Sequence, residues 1–210
     1  MSAMFSGCSK LKEISFIGCD LSKVSTWTGI TNNCNALEKV DLSNAKLGNG
    51  FRFSYFSLAD SIIYDNVDTS AITIASYLFN TPLVNDASQL NLTNVTDMSN
   101  MFNGNTAKTI TLSNNSVVTN TEQMFYGCSG VTELDLSMID TSNVTNMKSM
   151  FSGCTKLVSI KGDLLGSVNK LGIFYNCTKL VNIDKVDLTG ITSTSSYYLW
   201  NSSNTTYMPR

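Results

Sequence analysis

The chain has 210 residues, of which 42% are hydrophobic, 14% are charged and none is histidine, and its formal net charge is −2. Without histidine there is no Ser-His or Cys-His nucleophile pair, no imidazole acid–base group and no His-ligated metal. Without a Lys/Arg cluster there is no electrostatic footprint for a nucleic acid, and without a run of about 18 apolar residues no membrane-spanning helix is expected.

Met4-Phe5-Ser6-Gly7-Cys8 opens the first of nine copies of a short unit, aligned on Phe5, Thr31, Phe56, Phe79, Phe102, Phe125, Phe151, Phe174 and Trp200 at intervals of 23 to 26 residues. A period in this range marks a solenoid, whose coils bury their apolar faces only against their neighbours. The repeat runs end to end, so residues 1–210 are expected to form one domain of about eight coils. Met1–Lys10 lacks the basic-then-apolar pattern of a secretory leader. Since the repeat phase begins at once, the chain is expected to be a block of a longer array.

After each anchor comes a strand signal. Leu11-x-x-Ile14 is followed by Leu37-x-x-Val40-Asp41-Leu42-Ser43, and later by Leu134-Asp135-Leu136-Ser137, Leu157-x-x-Ile160 and Leu180-x-x-Ile183. Apolar Leu134 and Leu136 alternate with Glu133, Asp135 and Ser137, a period of two that predicts a half-buried strand. Residues 46–89 keep the period but replace Leu and Met with Phe51, Phe53, Tyr55, Phe56, Tyr64, Tyr77 and Phe79, and Pro82 stands at a cysteine position. Those rings either fill the core or form an outward stacking patch.

The clearest copy continues through Asp140-Thr141-Ser142-Asn143, a cluster of turn-forming side chains, to Met147, Met150 and Phe151 at i, i+3 and i+4. That spacing predicts a short helical or 3₁₀ turn, with Gly153 as a left-handed stop. Cys8, Cys34, Cys128, Cys154 and Cys177 each lie three residues after an anchor. In-register side chains in one column point the same way, which is poor geometry for a disulfide. They are therefore expected as free, buried thiols, forming a core with Phe5, Phe102, Phe125, Phe151 and Phe174. Cys19 is out of phase. The Asn-x-Ser/Thr triplets at Asn91, Asn94, Asn114, Asn143, Asn176, Asn201 and Asn204 read as chance matches in an Asn- and Thr-rich chain.

Asp140-Thr141-Ser142-Asn143-Val144-Thr145-Asn146-Met147, followed by Met150-Phe151-Ser152-Gly153-Cys154-Thr155-Lys156-Leu157, resembles the BspA-like leucine-rich repeats of bacterial surface proteins. The likeness is strong over residues 90–190, recognisable over 1–45 and weak over 46–89. It implies an α/β or mostly β leucine-rich-repeat solenoid, with a parallel sheet on the concave face and short helical or 3₁₀ turns on the convex face. It further implies a non-catalytic binding or adhesion module at the cell surface, and it carries no catalytic residue.

The expected ligand is a protein or glycan on a host or neighbouring cell, with no cofactor, metal, nucleic acid or membrane span. It would be met by two outward columns on the strand face: Glu13, Lys39, Glu133, Ser159 and Asn182, and beside them Ser15, Asp41, Asp135, Lys161 and Asp184. Flanking repeats or other chains are expected to cover the coil ends. The alternative is a structural or receptor-binding fibre segment of a phage or virion. An enzyme would need a carboxylate pair such as Asp135 and Asp184 about 5–10 Å apart, one of them raised in pKa by a dry pocket; the sequence shows no sign of such a pocket.

Overall fold

In the computed structural model, residues 1–166 and 169–187 are described; the ninth copy at Trp200 and the triplets at Asn201 and Asn204 lie outside them. Six short strands form two parallel sheets. β1 (Glu13–Ser15), β2 (Lys39–Asp41) and β3 (Ser61–Ile63) make the first, in the order β1-β2-β3. β4 (Glu133–Asp135), β5 (Ser159–Leu164) and β6 (Asn182–Val186) make the second, in the order β4-β5-β6. Each strand is one turn of a solenoid, and each pairs in register with the equivalent residues one repeat away: Ile14 with Val40, Val40 with Ile62, and Leu134 with Ile160. The outward flanks are polar because alternate residues of a strand face opposite sides.

Between the sheets the stacking continues through single parallel bridges. Asp86 pairs with Thr111 on the strand side. A second line joins Ile74, Asp97, Asn120, Asn146 and Asn169 from coil to coil. Along it Asn120 Nδ2 donates to Asp97 Oδ1 at 3.1 Å, and Asn146 Nδ2 donates to Glu122 Oε2 at 2.9 Å. These amides hydrogen-bond between coils where the backbone pairing is sparse.

The interior is a row of rings. Phe79, Phe102, Phe125, Phe151 and Phe174 stack in sequence with centroids 4.9, 5.5, 5.6 and 5.7 Å apart and planes within 16° of parallel. One ring per coil at a fixed phase produces this column, and offset stacking adds to what burial alone supplies. Within residues 46–89 the rings are core: Phe51, Phe53, Phe56 and Phe79 are buried, and Tyr55 and Tyr64 pack against them. They join Phe16 and Trp27 in a less regular cluster, with Trp27 edge-on to Phe51 at 5.1 Å. Tyr77 is half-buried beneath the Arg52 guanidinium, 4.5 Å from its ring centre.

Two expectations are corrected. The Met-Phe segments are not helical. They are successive hydrogen-bonded turns, such as Met150 N–H to Met147 O at 3.1 Å and Cys154 N–H to Phe151 O at 3.1 Å. The residues two before and two after the anchor both have positive φ: Asn100 (57°) and Gly104 (73°), Gln123 (55°) and Gly127 (69°), Ser149 (53°) and Gly153 (79°). Two left-handed residues four positions apart cannot belong to a right-handed helix. Gly153 is thus the second of a pair of kinks rather than a helix stop. Among the described residues one 3₁₀ helix occurs, Phe53–Phe56, in the aromatic coil.

The second correction concerns the first coil. Cys8 is exposed rather than core, and Phe5 is only partly buried. The physical reason is that an interior position is closed by a coil on each side, and among the described residues Phe5 and Cys8 are packed against the following coil alone.

Candidate functional site

The ten outward residues sit where the strand alternation puts them. Glu13 lies beside Lys39 and Ser15 beside Asp41 across β1 and β2; Glu133, Ser159 and Asn182 follow one another across β4, β5 and β6, and Asp135 lies beside Lys161. Asp184 follows Ile183, the partner of Ile160, where the register between β5 and β6 slips. Each is exposed or half-buried, flanking a central residue that is buried on every strand but β6. The structure gathers them into two patches, one per sheet. The pairing adds Ile63 beside Asp41 and Ser61 beside Lys39 on the first sheet, and sets Asp86 beside Thr111 between the sheets. The drifted consensus of residues 46–89 hid Ser61, Ile63 and Asp86, whose distances from their anchors differ from those of Lys39 and Asp41.

Three of the expected binding acids already serve the fold. Asp135 Oδ2 receives Lys161 Nζ at 2.8 Å, and its Oδ1 accepts the Ser137 N–H at 2.9 Å together with the Ser137 hydroxyl. Lys161 and then Ser137 hold the Asp135 carboxyl down at about 2. Asp41 is likewise lowered, by Ser43 first, and lies 3.4 Å from Lys39. Asp184 Oδ2 accepts the Gly162 N–H at 2.8 Å. Among the described residues Glu13, Glu133, Ser159 and Asn182 make no side-chain hydrogen bond or ion pair, which leaves them as the groups whose bonding capacity faces outward.

The same Asp-x-Ser turn recurs at Asp20–Ser22, Asp68–Ser70 and Asp140–Ser142, with N–H to carboxylate distances of 2.9 Å. A side-chain oxygen bonding the backbone two residues on is a local turn former. A carboxyl serving as general acid needs a raised pKa, whereas these anchored carboxyls are lowered by their Ser partners.

Beside these columns the strand pairing between β5 and β6 slips at Gly162, whose φ is +94°. An open depression of about 310 Å³ lies there, lined by Ser137, Asp140, Thr141, Gly162, Asp163 and Leu165 among others. The Thr141 hydroxyl donates to Asp163 O at 2.7 Å and accepts the Leu165 N–H at 2.9 Å, so its capacity is used in holding the bulge.

The cysteines make a structural line. Cys34, Cys128, Cys154 and Cys177 are buried, and all six thiols are unbridged. Each buried thiol donates to the anchor carbonyl of the preceding coil: Cys34 to Phe5 O at 3.0 Å, Cys128 to Phe102 O at 3.2 Å, Cys154 to Phe125 O at 3.1 Å and Cys177 to Phe151 O at 2.9 Å. Neighbouring thiols and burial push the Cys154 and Cys177 pKa values up, which disfavours the thiolate, the nucleophilic form. Asn105 takes the same position after Phe102, and its Nδ2 donates to Phe79 O at 2.9 Å, to Thr81 O and to Val84 O.

Among the described residues no group of three or more Cys, Asp and Glu is gathered to hold a metal, and no helix is long and apolar enough to cross a membrane. No curated protein and no solved structure matches the chain. Its repeats do match one family model over three overlapping stretches, residues 1–111, 45–161 and 106–208, which together span every coil described above. The chain belongs to the family described as Mycoplasma protein of unknown function, DUF285.

Proposed function

We propose that this solenoid is a non-catalytic binding module that recognises a protein or glycan through its outward strand columns, as part of a surface-displayed adhesin of the leucine-rich-repeat kind. The observation that carries this reading is the registered row Glu133, Ser159 and Asn182 on consecutive strands β4, β5 and β6. Such a row places hydrogen-bonding groups at the strand spacing of about 4.8 Å on a rigid backbone. Glu13 beside Lys39 repeats the arrangement on the first sheet. Summed contacts along a stack, rather than one deep pocket, are how solenoids bind extended partners.

The test is an array of glycans and extracellular-matrix proteins probed with the intact chain, then with the triple variant Glu133→Ala, Ser159→Ala, Asn182→Ala. These positions are exposed or half-buried, so circular dichroism is expected to stay unchanged while binding to any captured ligand falls about tenfold or more. A ligand held equally by the variant would remove the strand columns from the recognition surface. No captured ligand at all would overturn the reading.

A further inference from the structure

The sequence holds two Asn-Gly pairs, Asn49-Gly50 and Asn103-Gly104, and the fold treats them oppositely. Asn49 is exposed, and its side chain reaches across to the following coil. Its Oδ1 accepts the Thr73 N–H at 2.9 Å and the Ile74 N–H at 3.1 Å, and its Nδ2 donates to the Thr73 hydroxyl at 3.0 Å. One coil on, the equivalent donors, the Thr96 and Asp97 N–H groups, go to the main-chain carbonyl of Thr73 at 3.0 and 3.4 Å. The Asn49 carboxamide thus stands in for a backbone carbonyl in the pairing between coils.

That substitution surrounds a carboxamide with groups that favour attack on its carbon. Two backbone N–H groups aimed at one oxygen stabilise the negative charge that develops there when a nucleophile adds. The nucleophile next to it in the chain is the Gly50 nitrogen. Among the described residues the Gly50 N–H makes no hydrogen bond, and a Cβ placed on Gly50 would meet nothing within 4 Å. Having no side chain, glycine also leaves the backbone free to carry that nitrogen towards the Asn49 Cγ. At the other pair these features are reversed. The Gly104 N–H is committed to Tyr126 O at 2.8 Å, the half-buried Asn103 gives its Nδ2 to Asn100 Oδ1 at 2.8 Å, and among the described residues nothing donates to the Asn103 Oδ1.

We propose that Asn49 is a modification site at which the fold promotes deamidation through a succinimide. The Gly50 nitrogen loses its proton to solvent and bonds to Cγ, and the carbonyl electron pair moves onto Oδ1 between the Thr73 and Ile74 N–H groups. When that pair returns, the bond from Cγ to Nδ2 breaks. The leaving nitrogen takes a proton from the Thr73 hydroxyl, which recovers one from water, and departs as ammonia. Water then opens the ring at either carbonyl, giving aspartate or isoaspartate. Aspartate keeps an acceptor for both N–H groups, whereas isoaspartate routes the main chain through the former side chain and withdraws it from them.

The experiment follows both pairs in the full chain by peptide mass spectrometry, in mildly alkaline buffer and in the same buffer with denaturing guanidinium chloride. Folding is expected to speed deamidation at Asn49 several-fold and to slow it several-fold at Asn103, which serves as the internal reference. Thr73→Val, at an exposed position, keeps the N–H donors and removes the hydroxyl; it is expected to leave the circular dichroism spectrum unchanged and to slow Asn49 several-fold. An Asn49 that reacts no faster folded than unfolded overturns the proposal, because the hydrogen bonds then protect the amide rather than activate it. So does an unchanged Asn49 rate in folded Thr73→Val. None of these readings depends on ligand binding at the strand columns.

Discussion

Asp135 shows how a single outward side chain is committed to the fold before any ligand arrives. Its carboxylate takes Lys161 from the next coil and Ser137 from its own turn, and is held at about 2 against an ordinary 3.8. A folded-state pKa below the unfolded one adds stability that is fully present above the unfolded value and is lost as pH falls through the folded one. Asp20, Asp41, Asp68 and Asp140 are lowered in the same direction by their Ser partners. Stability is therefore expected to be level above the ordinary carboxylate range and to decline from about pH 4 towards about pH 2. Lys161→Ala is expected to move the Asp135 midpoint upward in a carboxyl-detected NMR titration; a midpoint that stays put would show the lysine contact to be idle. The alternation legible in the sequence places this residue outside the core, but the Lys161 contact needs the next coil and cannot be read from one strand.

At the scale of the element, the coil is defined by its left-handed residues and by close approach between neighbours. The Met-x-x-Met-Phe spacing reads as a helical face because the first left-handed position is Asn100, Gln123 or Ser149, side chains that give no glycine signal. The cross-coil hydrogen bonds supply what the local propensity lacks, and the turn pair wins over the helix. Glycines on the path differ in what they permit. A Cβ on Gly130 would sit 2.0 Å from Thr106 O and 2.4 Å from Ala107 O, backbone atoms of the preceding coil that cannot move without parting the stack. At Gly7 nothing lies within 4 Å, although φ is +81°. Gly7→Ala is expected to cost about 1 kcal/mol from backbone strain alone. Gly130→Ala is expected to cost about 3 kcal/mol, at the upper end of overpacking effects. Urea unfolding of the two variants checks the order, and equal midpoints would refute it.

For the whole molecule, stability in a stack is a sum of coil terms and nearest-neighbour terms. The Phe column carries much of the latter, so a cut in its middle should cost more than one at its edge. Phe125 is buried and sits between Phe102 at 5.5 Å and Phe151 at 5.6 Å, while Phe5 is only partly covered. Phe125→Ala is expected to destabilise by about 3–5 kcal/mol and Phe5→Ala by clearly less, as read from chemical denaturation. Comparable losses would mean that the column is not the main link between coils.

The sequence by itself determined the repeat period, the phase of its strands and the column of ring and thiol positions. These follow from alternation and spacing, which are properties of one coil copied many times. Only the tertiary structure decided that the turn segments are paired left-handed kinks, that Asn105 stands in for a cysteine, that the rings of residues 46–89 are core, and that Cys8 and Met4 are open to solvent. Each of these depends on what the neighbouring coil presents across the gap. A periodic sequence specifies its own coil well, whereas what a side chain meets is set by the coil packed against it, which one repeat read alone does not show.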